Sequence, residues 1–149
     1  MYRPSIRLSL AIAGWLGILI THSVTAQDKA PDAGKTTLIG VYTDEQAARG
    51  QKIYGMSCLG GCHNSASHKG PTFKQNWVGH QLSELFERIK DTMPDDNPGL
   101  LSAKESLDVI SYLLKANGMP AGKEELAGDK AALAKIKIEL PPSGGGSFR

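Results

Sequence analysis

The chain has 149 residues, with 17 Lys and Arg against 15 Asp and Glu, 40% hydrophobic residues and two cysteines. Two of the basic residues, Arg3 and Arg7, belong to a leader-like start, and without them the two signs balance. The sequence pI of about 8.5 therefore carries no argument for nucleic acid, no Lys/Arg cluster is interleaved with aromatics, and a neutral chain gives no strong long-range steering.

In chain order, Arg3 and Arg7 precede an apolar run from Leu8 to Ile20, and "THSVTA" then ends in small residues at Val24 and Ala26. This is the pattern of a secretory signal peptide over residues 1–26, cut after Ala26. The run is roughly 13 residues, against about 20 for a helix that spans a bilayer, so no stable membrane span is expected after cleavage. Neither a twin arginine nor a lipobox cysteine accompanies it, and the expected location is the periplasm, an oxidising compartment. About 123 residues then remain, enough for one domain. Small and polar residues make 27–39 an expected flexible segment; 40–126 is the expected folded domain, and 127–149 an extension that is partly helical and then flexible.

Three main helices can be read with their punctuation. The first opens at Thr43, with Gln46 three residues on as a capping box and Asp44 and Glu45 in the first turn, where the helix dipole favours anions. Ala47, Gly50, Ile53 and Tyr54 share one side of it, and Gly50 predicts a close approach by another helix. The second carries the stripe Leu82, Leu85, Phe86 and Ile89 and must end near Thr92, because Pro94 disfavours helical geometry at Met93. The third opens on a capping box, Ser102 and Glu105, and stops at Asn117-Gly118 before Pro120. A weaker helical segment is expected over 129–137. No alternating strand pattern of useful length is read and no internal repeat, so the fold class is all-α, three main helices joined by long loops.

The chemistry concentrates in "CLGGCH", residues 58 to 63, which holds both cysteines and a histidine. A disulfide between Cys58 and Cys62 would close a tiny loop and add little stability. A zinc site could draw on Cys58, Cys62, His63 and His68 or His80, yet no second Cys-x-x-Cys pair exists and neighbouring Cys and His rarely both reach one tetrahedral ion. Covalent haem explains the adjacent histidine: two thiols add to the porphyrin vinyl groups and the next imidazole lies beneath the iron. The attachment signature has two residues between the cysteines and this chain has three, with Gly60-Gly61 supplying conformational freedom for the longer loop. A soft sixth ligand is expected at Met93, in the stiff "TMPDDNPG" loop, ahead of Met56 and Met119.

Taken together, "YTDEQAARGQKIYGMSCLGGCH", "GPTF", "NWVGHQLSELFERIKDTMPDDNPGLLS" and "ESLDVISYLLKANGMPAGKEEL" resemble the class I cytochromes c of bacteria, in particular small monohaem forms that serve periplasmic dehydrogenases and oxidases. The resemblance runs from about Val41 to Leu126. It implies a cytochrome c-like fold wrapped around one covalently bound haem c per chain, with thioethers at Cys58 and Cys62, His63 as proximal ligand and Met93 as distal ligand. It further implies that the Pro71 carbonyl orients the proximal imidazole, and that Gly50, Tyr54 and Tyr112 belong to the crossing of the terminal helices. Against the family pattern stand the extra residue between the cysteines, a short segment from His63 to Pro71, and Asn64 where a glycine is common.

Other residues divide between chemistry and packing. Trp77 either donates its indole N–H to a haem propionate or packs on the haem edge. Phe73, Phe86 and Leu82 read as pocket wall, and Tyr54 and Tyr112 as packing. His68 and His80 read as solvated loop residues able to displace Met93 in an altered state. Asp91, Asp95, Asp96, Glu84 and Glu87 form a wet face that could shape partner docking. With both axial positions taken, single-electron transfer is the expected function, not enzymatic turnover, with a periplasmic dehydrogenase or terminal oxidase as redox partner and the chain a monomer or a subunit. The alternatives are a five-coordinate haem enzyme or gas sensor, and a haem-free disulfide or zinc module.

Overall fold

The computed structural model describes residues 34–59 and 62–142; the expected signal peptide, Gly60, Gly61 and residues 143–149 lie outside them. In chain order the described elements are strand β1 (Lys35–Thr36), a 3-10 turn (Thr37–Ile39), helices α1 (Asp44–Ser57), α2 (Gly70–Trp77), α3 (Leu82–Thr92), α4 (Ala103–Ala116) and α5 (Lys130–Leu133), and strand β2 (Ile136–Lys137). The class is all-α, and no described helix is long and apolar enough to cross a membrane.

The helix ends follow the local chemistry. Ser102 and Glu105 cap α4 reciprocally, the Ser102 Oγ accepting from the Glu105 N–H at 3.2 Å and the Glu105 carboxylate from the Ser102 N–H at 2.9 Å. At its other end Gly118 takes φ 82°, and the Met119 and Gly118 N–H groups return to the Leu114 and Lys115 carbonyls. This double return is the left-handed glycine stop. On α1 only half of the expected capping box forms. Thr43 Oγ1 accepts from the Gln46 N–H at 3.2 Å, but the Gln46 side chain turns inward, donating to the Leu126 carbonyl at 2.8 Å and accepting from its N–H at 2.6 Å. A buried amide must satisfy both of its ends, and the Leu126 backbone offers a matching pair.

Helices α1 and α4 cross at Gly50. A Cβ placed there would sit 1.7 Å from the Asp108 carbonyl oxygen, so only glycine admits this approach. The Asp108 side chain, nearly fully buried, takes a two-pronged contact from Arg49 on α1 (3.0 and 3.1 Å) and a further bond from Lys104 at 3.2 Å. Burial alone would raise the Asp108 carboxyl pKa, but the bonds from Arg49 and Lys104 outweigh it and hold the group below its ordinary range.

The two ends of the folded unit differ from the sequence reading. The expected flexible segment gives way at Lys35–Ile39 to ordered structure: β1 pairs in parallel with β2, and the buried Thr37 hydroxyl donates to the Glu139 carbonyl at 2.7 Å and accepts from its N–H at 3.0 Å. The helix expected over 129–137 is only the single turn α5, capped by Asp129, and the chain then extends with Ile136 and Ile138 buried and Lys137 exposed. "KIKIEL" alternates at period two, which a strand satisfies and a helix does not. Helix α2 was not anticipated; Pro71 in its first turn and the Phe73/Trp77 pair, one turn apart, are its sequence signals.

Two consequences are measurable. Alanine in place of a helical glycine ordinarily gains about 1 kcal/mol, but the clash at Gly50 reverses the sign. Gly50→Ala should lose about 1–3 kcal/mol by overpacking, seen as a drop in Tm of about 4–8 °C per kcal/mol in thermal melts followed by circular dichroism. The Tyr42 hydroxyl donates to the Met119 carbonyl at 2.7 Å, and burial, with a smaller push from Asp44, lifts the phenol to about 12. Its contribution is complete below the ordinary phenol value of 10.0 and is lost as the pH rises toward about 12. Denaturant midpoints should therefore fall more steeply over that window for the parent than for Tyr42→Phe.

Candidate functional site

A cavity among the described residues has a volume of about 630 Å³, within the roughly 300–1,000 Å³ typical of cofactor pockets. The end of α1 and the turn after it supply Tyr54, Cys58, Leu59, Cys62, His63 and His68. Helix α3 and the loop beyond it supply Leu85, Arg88, Ile89, Met93, Pro94, Asp95 and Asp96, while α4 supplies Val109 and Leu113. Trp77 at the end of α2 and Leu101 complete much of the lining.

Two of the four candidate donors, Cys58 and Met93, are delivered by the ends of helices. Cys58 is the C-cap of α1, its N–H bonded to the Tyr54 carbonyl at 3.0 Å, and the Leu59 N–H shares that carbonyl at 3.2 Å. Both thiols are free; Cys62 is exposed, whereas Cys58 is half-buried and burial pushes its thiol pKa up. His63 follows Cys62 directly and is half-buried. The chain then tightens. The Asn64 N–H donates to Ser67 Oγ at 2.9 Å and its side-chain oxygen accepts from the Ala66 N–H at 2.8 Å. This compact turn accounts for the short run to Pro71, and asparagine suits it because its amide can bond its own backbone two residues on. Met93 is the C-cap of α3, extended at φ −121° and ψ 146°, with its N–H on the Ile89 carbonyl at 3.2 Å. An extended residue directly after a helix projects its side chain off the helical surface, and here Met93 joins the cavity lining.

His68 is where the geometry departs most from the sequence reading. It is not a solvated loop residue: it is half-buried, lines the cavity, and lies with its ring 4.4 Å from that of His63. Its Nδ1 meets the Tyr54 hydroxyl at 3.0 Å. Burial and then the neighbouring His63 lower its pKa, favouring neutral imidazole. Tyr54 is accordingly polar in role as well as a packing residue, and it also tilts against Tyr112 at 5.1 Å. His80 is exposed and paired with Glu84 at 2.8 Å.

The cavity therefore brings Cys58, Cys62, His63, Met93 and Trp77 together, but not Pro71. Pro71 is exposed in the first turn of α2 and is not part of the lining. The pocket wall also differs. Phe73, Leu82 and Phe86 are buried in the core without lining the cavity, and Leu85 and Ile89, on the neighbouring side of α3, line it with Leu101, Val109 and Leu113. Periodicity identifies the buried stripe of a helix but does not say which half meets a cofactor.

The donor chemistry suits haem c. Two thiols, an imidazole and a thioether share one cavity with an apolar wall, and among the described residues no three His, Cys, Asp or Glu converge as an alternative metal cluster. Residues 45–113 match the family model described as cytochrome C oxidase, cbb3-type, subunit III. No curated protein and no solved structure gives a match. The matched span runs from the first turn of α1 to near the end of α4; it includes Cys58, Cys62, His63 and Met93 and leaves out β1, α5 and β2. Covalent haem c, with its iron, is the cofactor that such a domain carries, and the cavity has both the size and the donors for it. Residues 45–113 thus match a cytochrome c domain, which supports a haem-binding, electron-transferring cytochrome.

Proposed function

We propose that this is a periplasmic monohaem cytochrome that passes single electrons, as a carrier or as the cytochrome subunit of a dehydrogenase or terminal oxidase. The observation that carries the reading is one cavity lined at once by Cys58, Cys62, His63 and Met93. The description of the matched family, a subunit of an oxidase, supports the oxidase side of the partner assignment, and the leader pattern of residues 1–26 supports export.

Haem c supplies a one-electron ferric/ferrous couple. The Cys58 and Cys62 sulfurs would hold it covalently, and His63 and Met93 would fill its axial positions, leaving none for a substrate. A thioether ligand favours the reduced state, and Leu85, Ile89, Leu101, Val109 and Leu113 keep water from the site; both effects raise the potential. Trp77, at the wall, would either donate its indole N–H to a propionate or pack on the haem edge. At the rim Met56 is 77% exposed and Leu59 38% exposed beside Cys58, an apolar approach for a partner to the thioether edge.

Protein matured in a host competent for cytochrome c should have an intact mass raised by one haem and a pyridine haemochrome spectrum of the two-thioether type. A mass without haem overturns the reading, and a band displaced toward a single remaining vinyl assigns attachment to one cysteine alone. Met93→Ala should abolish the sulfur-to-iron charge-transfer band and let the reduced protein bind carbon monoxide; an unaltered spectrum moves the ligand to Met56, Met119 or a histidine. In haem-free protein, iodoacetamide should label the exposed Cys62 faster than Cys58, whose raised thiol pKa leaves less thiolate at neutral pH, and peptide mass spectrometry reads the ratio.

A further inference from the structure

Three independent contacts converge on His68, and electron transfer as such requires none of them. Its Nδ1 is 3.0 Å from the Tyr54 hydroxyl. Its backbone carbonyl accepts from Asn117 Nδ2 at 2.9 Å, and the same Asn117 side chain accepts from the Gly70 N–H at 2.8 Å, so the cap of α4 clamps the segment on both sides of Lys69. Its ring then meets that of His63 edge to face, with centroids 4.4 Å apart and planes at 65°.

A histidine that ligates through one nitrogen can still turn its ring plane about the metal–nitrogen bond, and partners held against the ring limit that turn. Pro71, the residue expected to do this, is not in the cavity lining. We infer that His68, held by Tyr54 and Asn117, is the positioning residue that sets the ring plane of His63. The inference rests on the axial role of His63 proposed above. It assigns a paired task to Tyr54 and His68, side chains one helical end and one tight turn apart in sequence.

The test reads ligand orientation directly. In low-spin ferric haem the g values of the electron paramagnetic resonance spectrum follow the orientation of the axial ligand planes, a quantity that general destabilisation at matched ligation does not move. His68→Ala should displace the g values from those of the parent. Tyr54→Phe, which keeps the packing and loses only the hydroxyl, should displace them in the same direction by less. His68→Gln, able to keep a bond to Tyr54, should return them toward the parent. Parent g values in both His68→Ala and Tyr54→Phe overturn the inference. If His68→Ala fails to take up haem, Tyr54→Phe alone decides. A parent protein with no histidine-ligated low-spin signal overturns the site assignment first, and this inference with it.

Discussion

The crossing of α1 and α4 at Gly50 is the constraint on which the site depends. Helix α1 delivers Tyr54 and Cys58 at its C-terminal end; α4 presents Val109 and Leu113 to the same cavity and ends in the Asn117 cap that clamps His68 and Gly70. The separation of these two helices therefore fixes how far the thiols stand from the apolar wall. Backbone touches backbone at Gly50 and Asp108, and the Asp108 carboxylate is tied to α1 through Arg49 at the same point. Steric contact sets the distance, and the ion pair resists sliding along it. Because Asp108 is nearly fully buried, loss of Arg49 would leave a carboxylate supported by one exposed lysine, a strongly destabilising change.

A cavity of this size in so small a unit means that the folded chain forgoes much of the burial it could have had. Leu85, Ile89, Leu101, Val109 and Leu113 turn part of their surface toward space that only a bound group fills. A group that fills this space only in the folded state stabilises that state, and covalent attachment keeps the group at hand for refolding. The elements that border the cavity and have least apolar support, the turn of residues 62–69 and the loop of residues 94–100, are also those that carry or flank His63 and Met93. Their own bonds are local ones: Asn64 to Ser67 and Ala66, and the Asn97 and Leu100 N–H groups to the Pro94 and Asn97 carbonyls.

Much of this was legible wherever local chemistry decides the outcome. Ser102 with Glu105, Pro94 after Met93, and Asn117-Gly118 set the helix ends they predict, and Gly50 marked a close crossing before any partner helix was known. The proximity of Cys58, Cys62 and His63 is a matter of sequence, and Met93 joins them because a proline two residues past a helix leaves an extended residue there. What sequence did not disclose are contacts made across long separations. Gln46 obeys a local capping pattern but is recruited by Leu126, 80 residues away, because burial demands partners for both ends of its amide. His68 looks like a solvated residue between Ser67 and Lys69; the fold of the tight turn brings it against His63, and the packing of α1 on that turn gives it Tyr54. The choice between Phe86 and Ile89 as wall residues likewise depends on the roll of α3, which no pattern along that helix specifies.

The segments outside the matched span bear on the site through α3. Helix α5 and β2 lie along α3, with an ion pair from Lys130 to Glu87, and Leu133, Ile136 and Ile138 are buried beneath them. The Ile138 N–H and carbonyl bond the His80 carbonyl and the Gly79 N–H, both at 2.9 Å, which fixes the turn between α2 and α3. That turn stands between Trp77 and Leu82, so the extension sets where the Trp77 wall ends and where α3 begins. Helix α3 is a rigid rod of 11 residues with Met93 as its cap, and fixing its start fixes the Met93 backbone at its finish. Thr37 completes the arrangement by bonding Glu139 from the N-terminal side, so two stretches that read as tails jointly hold the helix that presents the thioether.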